Sequence, residues 1–107
     1  MALVYRLEKT PVEDIMEALE RNAKTLSYHL EYPESDGNVH LKPNNKRQPD
    51  IDLKISEEII WAECEKLSGL LKPLKMLRLA GKLENYTKKL LEGINIKSSG
   101  YASGGGD

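Results

Sequence analysis

The chain contains no phenylalanine, one cysteine and one tryptophan among its 107 residues. Without Phe, the core must be built from Leu, Ile and Val. The five tyrosines each carry a hydroxyl that needs a partner if buried. A lone Cys64 excludes an internal disulfide, and with it the disulfide-stapled secreted scaffolds, so a reducing, cytoplasmic setting is expected. No apolar run approaches the roughly 20 residues of a membrane-spanning helix. Arg6 interrupts the first hydrophobic stretch too early for a signal sequence, and no membrane partner is expected. Phosphate-loop, dinucleotide-binding and Ser-His-Asp patterns are absent, so neither an enzyme nor a cofactor is expected.

A dominant charge of one sign is missing too, since the formal net charge is −1. That balance hides an asymmetry. Residues 69–97 hold seven basic side chains against two acidic ones, while residues 1–68 hold nine against fourteen. A chain divided in this way can present one basic face to an acidic partner, or pair with itself head to tail.

The size and the mixture of apolar and charged residues fit one small globular domain over residues 1–97. A flexible Gly/Ser tail is expected at residues 98–107. Residues 2–8 alternate, with Leu3, Tyr5 and Leu7 opposite Val4 and Arg6, and predict a short strand suited to a sheet edge. Thr10, Pro11 and Glu13 then read as a capping box with Pro at the first helical position. An apolar stripe at Val12, Ile15, Met16, Leu19 and Ala23 predicts an amphipathic helix. Residues 26–32 fit two periods. Leu26, Tyr28, Leu30 and Tyr32 alternate as a strand would, but the helical stripe also continues through Leu26 and Leu30.

The turn at residues 33–38 contains Asp36-Gly37, and Val39 and Leu41 form a return strand. Residues 42–50 read as a solvated loop, followed by a strand carrying Ile51, Leu53 and Ile55. Ser56 with Glu57 and Glu58 predicts a further helix start, stapled by Ile55 and Ile60. Its apolar face would comprise Ile59, Ile60, Cys64, Leu67, Leu70 and Leu71. Pro73 breaks that helix near Lys72, and a last helix runs from Leu74 to about Glu92, stopped by Gly93.

The expected fold is therefore α+β. A three- to four-stranded antiparallel sheet packs against one amphipathic helix and a C-terminal helical pair. The alternative is a mostly α chain in which residues 11–32 form one helix.

The C-terminal leucines exceed what two short helices need against a small sheet. The expected function is a non-enzymatic protein-interaction or regulatory module acting through those helices, by self-association or on a protein partner. The alternatives are a nucleic-acid binder and an enzyme without a recognisable motif. Lys75, Arg78, Lys82 and Lys89 recur at steps of three, four and seven, a helical row able to follow phosphates. Trp61 is a candidate interface anchor. Glu57, Glu58, Glu63 and Glu65 do not share one helical face as a carboxylate metal site requires. His29 and His40 would need Cys64 or Glu31 to complete a zinc site, at spacings that are not diagnostic, so no metal is expected.

Overall fold

A computed structural model of the chain describes residues 2–32, 38–64 and 72–102. The first element, β1 (Ala2–Leu7), buries Leu3, Tyr5 and Leu7 and turns Val4 and Arg6 the other way, as its alternation dictates. It is not an edge. It lies between β5 (Ile59–Cys64) and β6 (Ile96–Ala102), antiparallel to both.

Helix α1 (Val12–Thr25) buries Ile15, Ala18, Leu19 and Ala23. Its start differs from the capping box expected at Thr10. The Thr10 amide donates to Glu57 O, and its hydroxyl turns back to Glu8 O. Pro11 occupies the N-cap position with no side-chain cap. Thr10 is thus engaged by the sheet rather than by the helix.

The helix ends before residue 26 for a reason that lies elsewhere in the chain. Ser27 adopts a left-handed φ of 62°, tolerable for a short polar side chain. The Leu26 carbonyl accepts from Gln48 Nε2 at 2.7 Å, and the Ser27 carbonyl accepts from the Asn44 amide at 3.1 Å. Beyond this turn lies β2 (Tyr28–Glu31), so residues 11–32 are not one helix.

The chain then meanders through β3 (Val39–Pro43), β4 (Ile51–Ile55) and β5, each antiparallel to the strand before it. Residues 56–64 correct the expected helix start. Ser56 exchanges backbone and hydroxyl bonds with Ile59 across a tight turn, and Ile55 pairs with Ile60. Ile60, Ala62 and Cys64 are buried at every second position, the period of a strand.

Leu67, Leu70 and Leu71 lie outside the described residues. Among the described residues the expected C-terminal helical pair gives way to a single helix, α2 (Pro73–Leu90), with Pro73 in its first turn. Gly93 follows the end of α2 at φ 96°, a conformation that favours glycine. Residues 98–102, expected within a flexible tail, belong to β6.

The result is a six-stranded antiparallel sheet in the order β2-β3-β4-β5-β1-β6, not one of three or four strands. The α+β class holds. The antiparallel pairings make β1 run parallel to β2, and β5 parallel to β6. Each helix therefore links two strands of like direction. Helix α1 carries the chain past three strands, four inter-strand steps or about 19 Å, and its 14 residues extend about 21 Å.

Both helices lie on the same face of the sheet. Ile15, Leu19, Leu83 and Leu90 join Leu3, Leu41, Ile51, Leu53 and Ile60 in one core. Among the described residues no helix or strand covers the opposite face, which displays Val4, Arg6, Trp61, Lys54 and His40.

Polar contacts tie the layers together. Tyr5 and Thr87 share a buried hydroxyl–hydroxyl bond, and Thr87 also reaches the Leu83 carbonyl at 2.7 Å. Tyr28 donates to Pro49 O at 2.8 Å. Asn22 Nδ2 donates to Leu90 O at 2.7 Å and to Glu92 O at 2.9 Å, satisfying carbonyls that the end of α2 leaves without helical partners. Asn22→Ala is expected to cost about 1–2 kcal/mol of unfolding free energy, read by urea denaturation.

The tyrosines also set an alkaline limit. Burial raises the Tyr5 phenol above its ordinary value of 10, only partly offset by the Thr87 bond. Tyr101 is pushed up to about 12, first by enclosure of its hydroxyl and then by the Glu84 carboxylate that accepts its hydrogen bond. The fold favours the neutral phenols, so their contribution is complete below pH 10 and is lost as pH climbs through about 12. Urea midpoints are expected to hold steady up to about pH 10 and fall above it. A profile that stays flat through about pH 12 counts against this account.

Candidate nucleic-acid interface

Helix α2 buries Ala80, Leu83, Thr87 and Leu90 and leaves Lys75, Arg78, Lys82 and Lys89 exposed. These are the four cations anticipated as a row. Glu84 is the single acidic residue of α2, and it faces β6, where the Tyr101 hydroxyl is shared between its carboxylate and the Ala80 carbonyl. The basic row lies on the other flank. There, Lys82 Nζ reaches the Arg47 carbonyl at 3.4 Å, and Lys89 Nζ stands 5.8 Å from the centre of the Tyr86 ring. Tyr86 in turn meets Tyr28 edge-on, at 6.0 Å between ring centres. The row is thereby seated against β2 and the loop between β3 and β4.

That loop contributes two cations that the sequence pattern does not single out. Asn45 Oδ1 accepts from the Arg47 amide at 2.9 Å and from the Gln48 amide at 3.2 Å. Asn45 Nδ2 donates to Gln48 Oε1 at 2.9 Å, and Gln48 anchors the turn on Leu26. A turn held this way presents Lys46 and Arg47 outward beside Lys82. Among the described residues no carboxylate forms an ion pair with any of these six cations. The sequence signal was the pair Lys46-Arg47 within an Asn- and Pro-rich loop, and nothing local placed it near α2.

Trp61 does not join them. It lies on β5 and faces away from both helices, with its indole N–H donated to Glu63. Glu57 and Glu58 belong to the β4–β5 turn, and Glu65 lies outside the described residues. His29 and His40 do face the same side of the β2–β3 hairpin. His29 opposes Lys42, while His40 opposes Glu31 and pairs with Asp52 on β4. Cys64 is buried toward the helices, away from both imidazoles. Among the described residues no group of three or more His, Cys, Asp or Glu side chains is placed to hold a metal ion, and no helix is long and apolar enough to cross a membrane.

These features define an α+β domain with a helix-covered sheet, one open sheet face and a basic flank assembled from two distant segments. Comparison with known proteins adds one likeness. The chain is 31% identical over 103 residues to a DNA ligase of Cytophaga hutchinsonii, an alignment covering 95% of this chain. The chain spans only 14% of the ligase's length. No protein-family profile matches the sequence, and no solved structure matches it.

This likeness overturns the expected protein-interaction or regulatory module built on C-terminal leucine-rich helices, because it points to a DNA-related or enzymatic context. Among the described residues, Leu83, Leu90 and Leu91 are also enclosed by the chain's own core, and of the C-terminal leucines described Leu74 and Leu77 are left prominent, at 75% and 69% exposure.

The loop geometry is open to a direct check. Asn45→Ala removes the acceptor of the Arg47 and Gln48 amides. Hydrogen exchange at these two amides is expected to rise roughly five- to tenfold, with the helices unaffected.

Proposed function

We propose that this chain is a nucleic-acid-binding module that grips the phosphates of DNA along the exposed flank of α2 and the neighbouring loop. It acts in the cytoplasm, by binding rather than by catalysis. The likeness to a stretch of a DNA ligase across nearly the whole chain carries the reading. A protein that joins DNA needs segments that hold the substrate as well as those that do chemistry, and a module spanning 14% of such a protein suits the former role.

The geometry supports the reading in three ways. Lys75 and Lys89 are separated by 14 positions, about 21 Å along a helix axis. That length equals the axial rise of about six nucleotides of one duplex strand. The six cations are not neutralised by carboxylates among the described residues. Finally, with a net charge of −1, attraction comes from local clusters of cations such as this flank and not from the charge of the whole chain, and at ordinary salt its reach is about 10 Å. Binding of this kind is short-ranged, insensitive to sequence and steeply dependent on salt.

Fluorescence anisotropy with a labelled DNA duplex, titrated over a range of salt, tests this. The logarithm of affinity should fall against the logarithm of salt with a slope of about −4 to −5 if most of the six cations meet phosphates. Replacing Lys75, Arg78 and Lys82 with Gln should flatten the slope by about 3. An unchanged slope, or no binding at low salt, would exclude the flank as the site.

A further inference from the structure

The side of the sheet opposite the helices holds a feature that the basic flank does not use. Across three adjoining strands, Trp61 of β5 pairs with Val4 of β1, and Val4 pairs with Gly100 of β6. One step along, Ile59, Arg6 and Ser98 line up in the same way. Together they border a shallow depression of about 370 Å³. Gly100 supplies no side chain, and a Cβ placed there would meet nothing within 4 Å. Trp61 forms a wall, Val4 and Gly100 the floor, and Arg6 and Ser98 one end. The Glu63 carboxylate accepts the indole N–H and so restrains the ring.

The composition of this slot selects its occupant. Among the described residues Arg6 is the one charged residue that lines the slot itself, and the Glu63 carboxylate is occupied with the indole N–H, so the complementary ligand places an anionic group at the Arg6 end. Lys54, the cross-strand neighbour of Trp61, adds a second exposed cation on the same face. The large planar residue is an indole, half-buried rather than sunk into the core. An aromatic wall beside a guanidinium suits a flat ring attached to a phosphate. A duplex cannot offer that ring, because its bases are stacked on one another. A single strand can.

We propose that the open sheet face is a second binding surface, which takes an unpaired base of single-stranded DNA against Trp61 with its phosphate on Arg6. This inference rests on the nucleic-acid reading above and extends it from duplex phosphates to an exposed single strand. The two surfaces lie on opposite sides of the sheet, so one chain holds paired DNA on α2 and an unpaired segment on β1, β5 and β6.

Trp61 is the sole tryptophan, so its fluorescence reports the slot directly. The experiment titrates the intact chain with a short oligothymidine, following tryptophan emission and, with a labelled strand, anisotropy. A duplex of equal length is the second arm. Quenching by the single strand is expected, and little or none by the duplex. Trp61→Ala should weaken single-strand affinity about five- to hundredfold, by the usual worth of one stacked base. Gly100→Val should do the same while leaving the tryptophan as reporter. Its backbone does not require glycine, since Gly93 is the only glycine with a positive φ among the described residues. Valine also favours a strand, so the variant tests the slot without unsettling the fold.

Duplex affinity should be unaltered in both variants. If the single strand binds by anisotropy but leaves Trp61 emission unchanged, or if Gly100→Val quenches as strongly as the wild type, the slot is excluded and the basic flank stands. If the duplex quenches equally, selection for an unpaired base is wrong. If neither nucleic acid binds, both readings fall together.

Discussion

The placement of β1 is the constraint on which the rest of this structure depends. Six residues near the start of the chain form the bridge between β5 and β6. Leu3 is paired with Ala62 on one side and with Tyr101 on the other. Closing such contacts over long stretches of chain costs conformational entropy, which side-chain burial must offset. Leu3, Tyr5 and Leu7 supply that burial, and Tyr5 adds its bond to Thr87 of α2. Among the described residues β1 is the strand that holds β6 in the sheet.

The same arrangement separates two surfaces of different chemistry. Both helices lie on one face because each joins strands of the same direction across an intervening part of the sheet. Their outer flank gathers cations from α2 and from the loop that also terminates α1. The bare face of the sheet carries an indole, a guanidinium and a strand of small residues. The bonds that fix one surface are not those that fix the other. Asn45 and Gln48 organise the first, while the ladder of β5, β1 and β6 organises the second. That independence lets the flank and the slot be altered one at a time.

Much of the architecture was readable locally. The stripe of α1, the alternation of β1, β3 and β4, and the row of cations on α2 each repeat within a few residues, at the period of the element they form. The departures of the structure from local pattern share a cause. Ser56, Glu57 and Glu58 are good helix openers, and only the pairing of β5 with β4 and β1 turns Ser56 into a hairpin residue. Residues 96–102 are rich in Ser and Gly, poor strand formers when alone, and most of β6 is exposed. That strand exists because β1 offers a free edge and Tyr101 latches onto α2. Thr10 has the chemistry of a helix cap, but Glu57 claims its amide.

By itself the sequence determined the amphipathic character of α1 and α2, the mixed α+β class and the cationic row, because periodicity and charge spacing are properties of neighbouring residues. Tertiary structure alone decided that β1 is interior, that Lys46 and Arg47 stand beside Lys82, and that Trp61 faces away from all of them. Strand partners and loop docking join residues tens of positions apart. No local pattern encodes which of the possible long-range pairings buries the most apolar surface while satisfying the backbone.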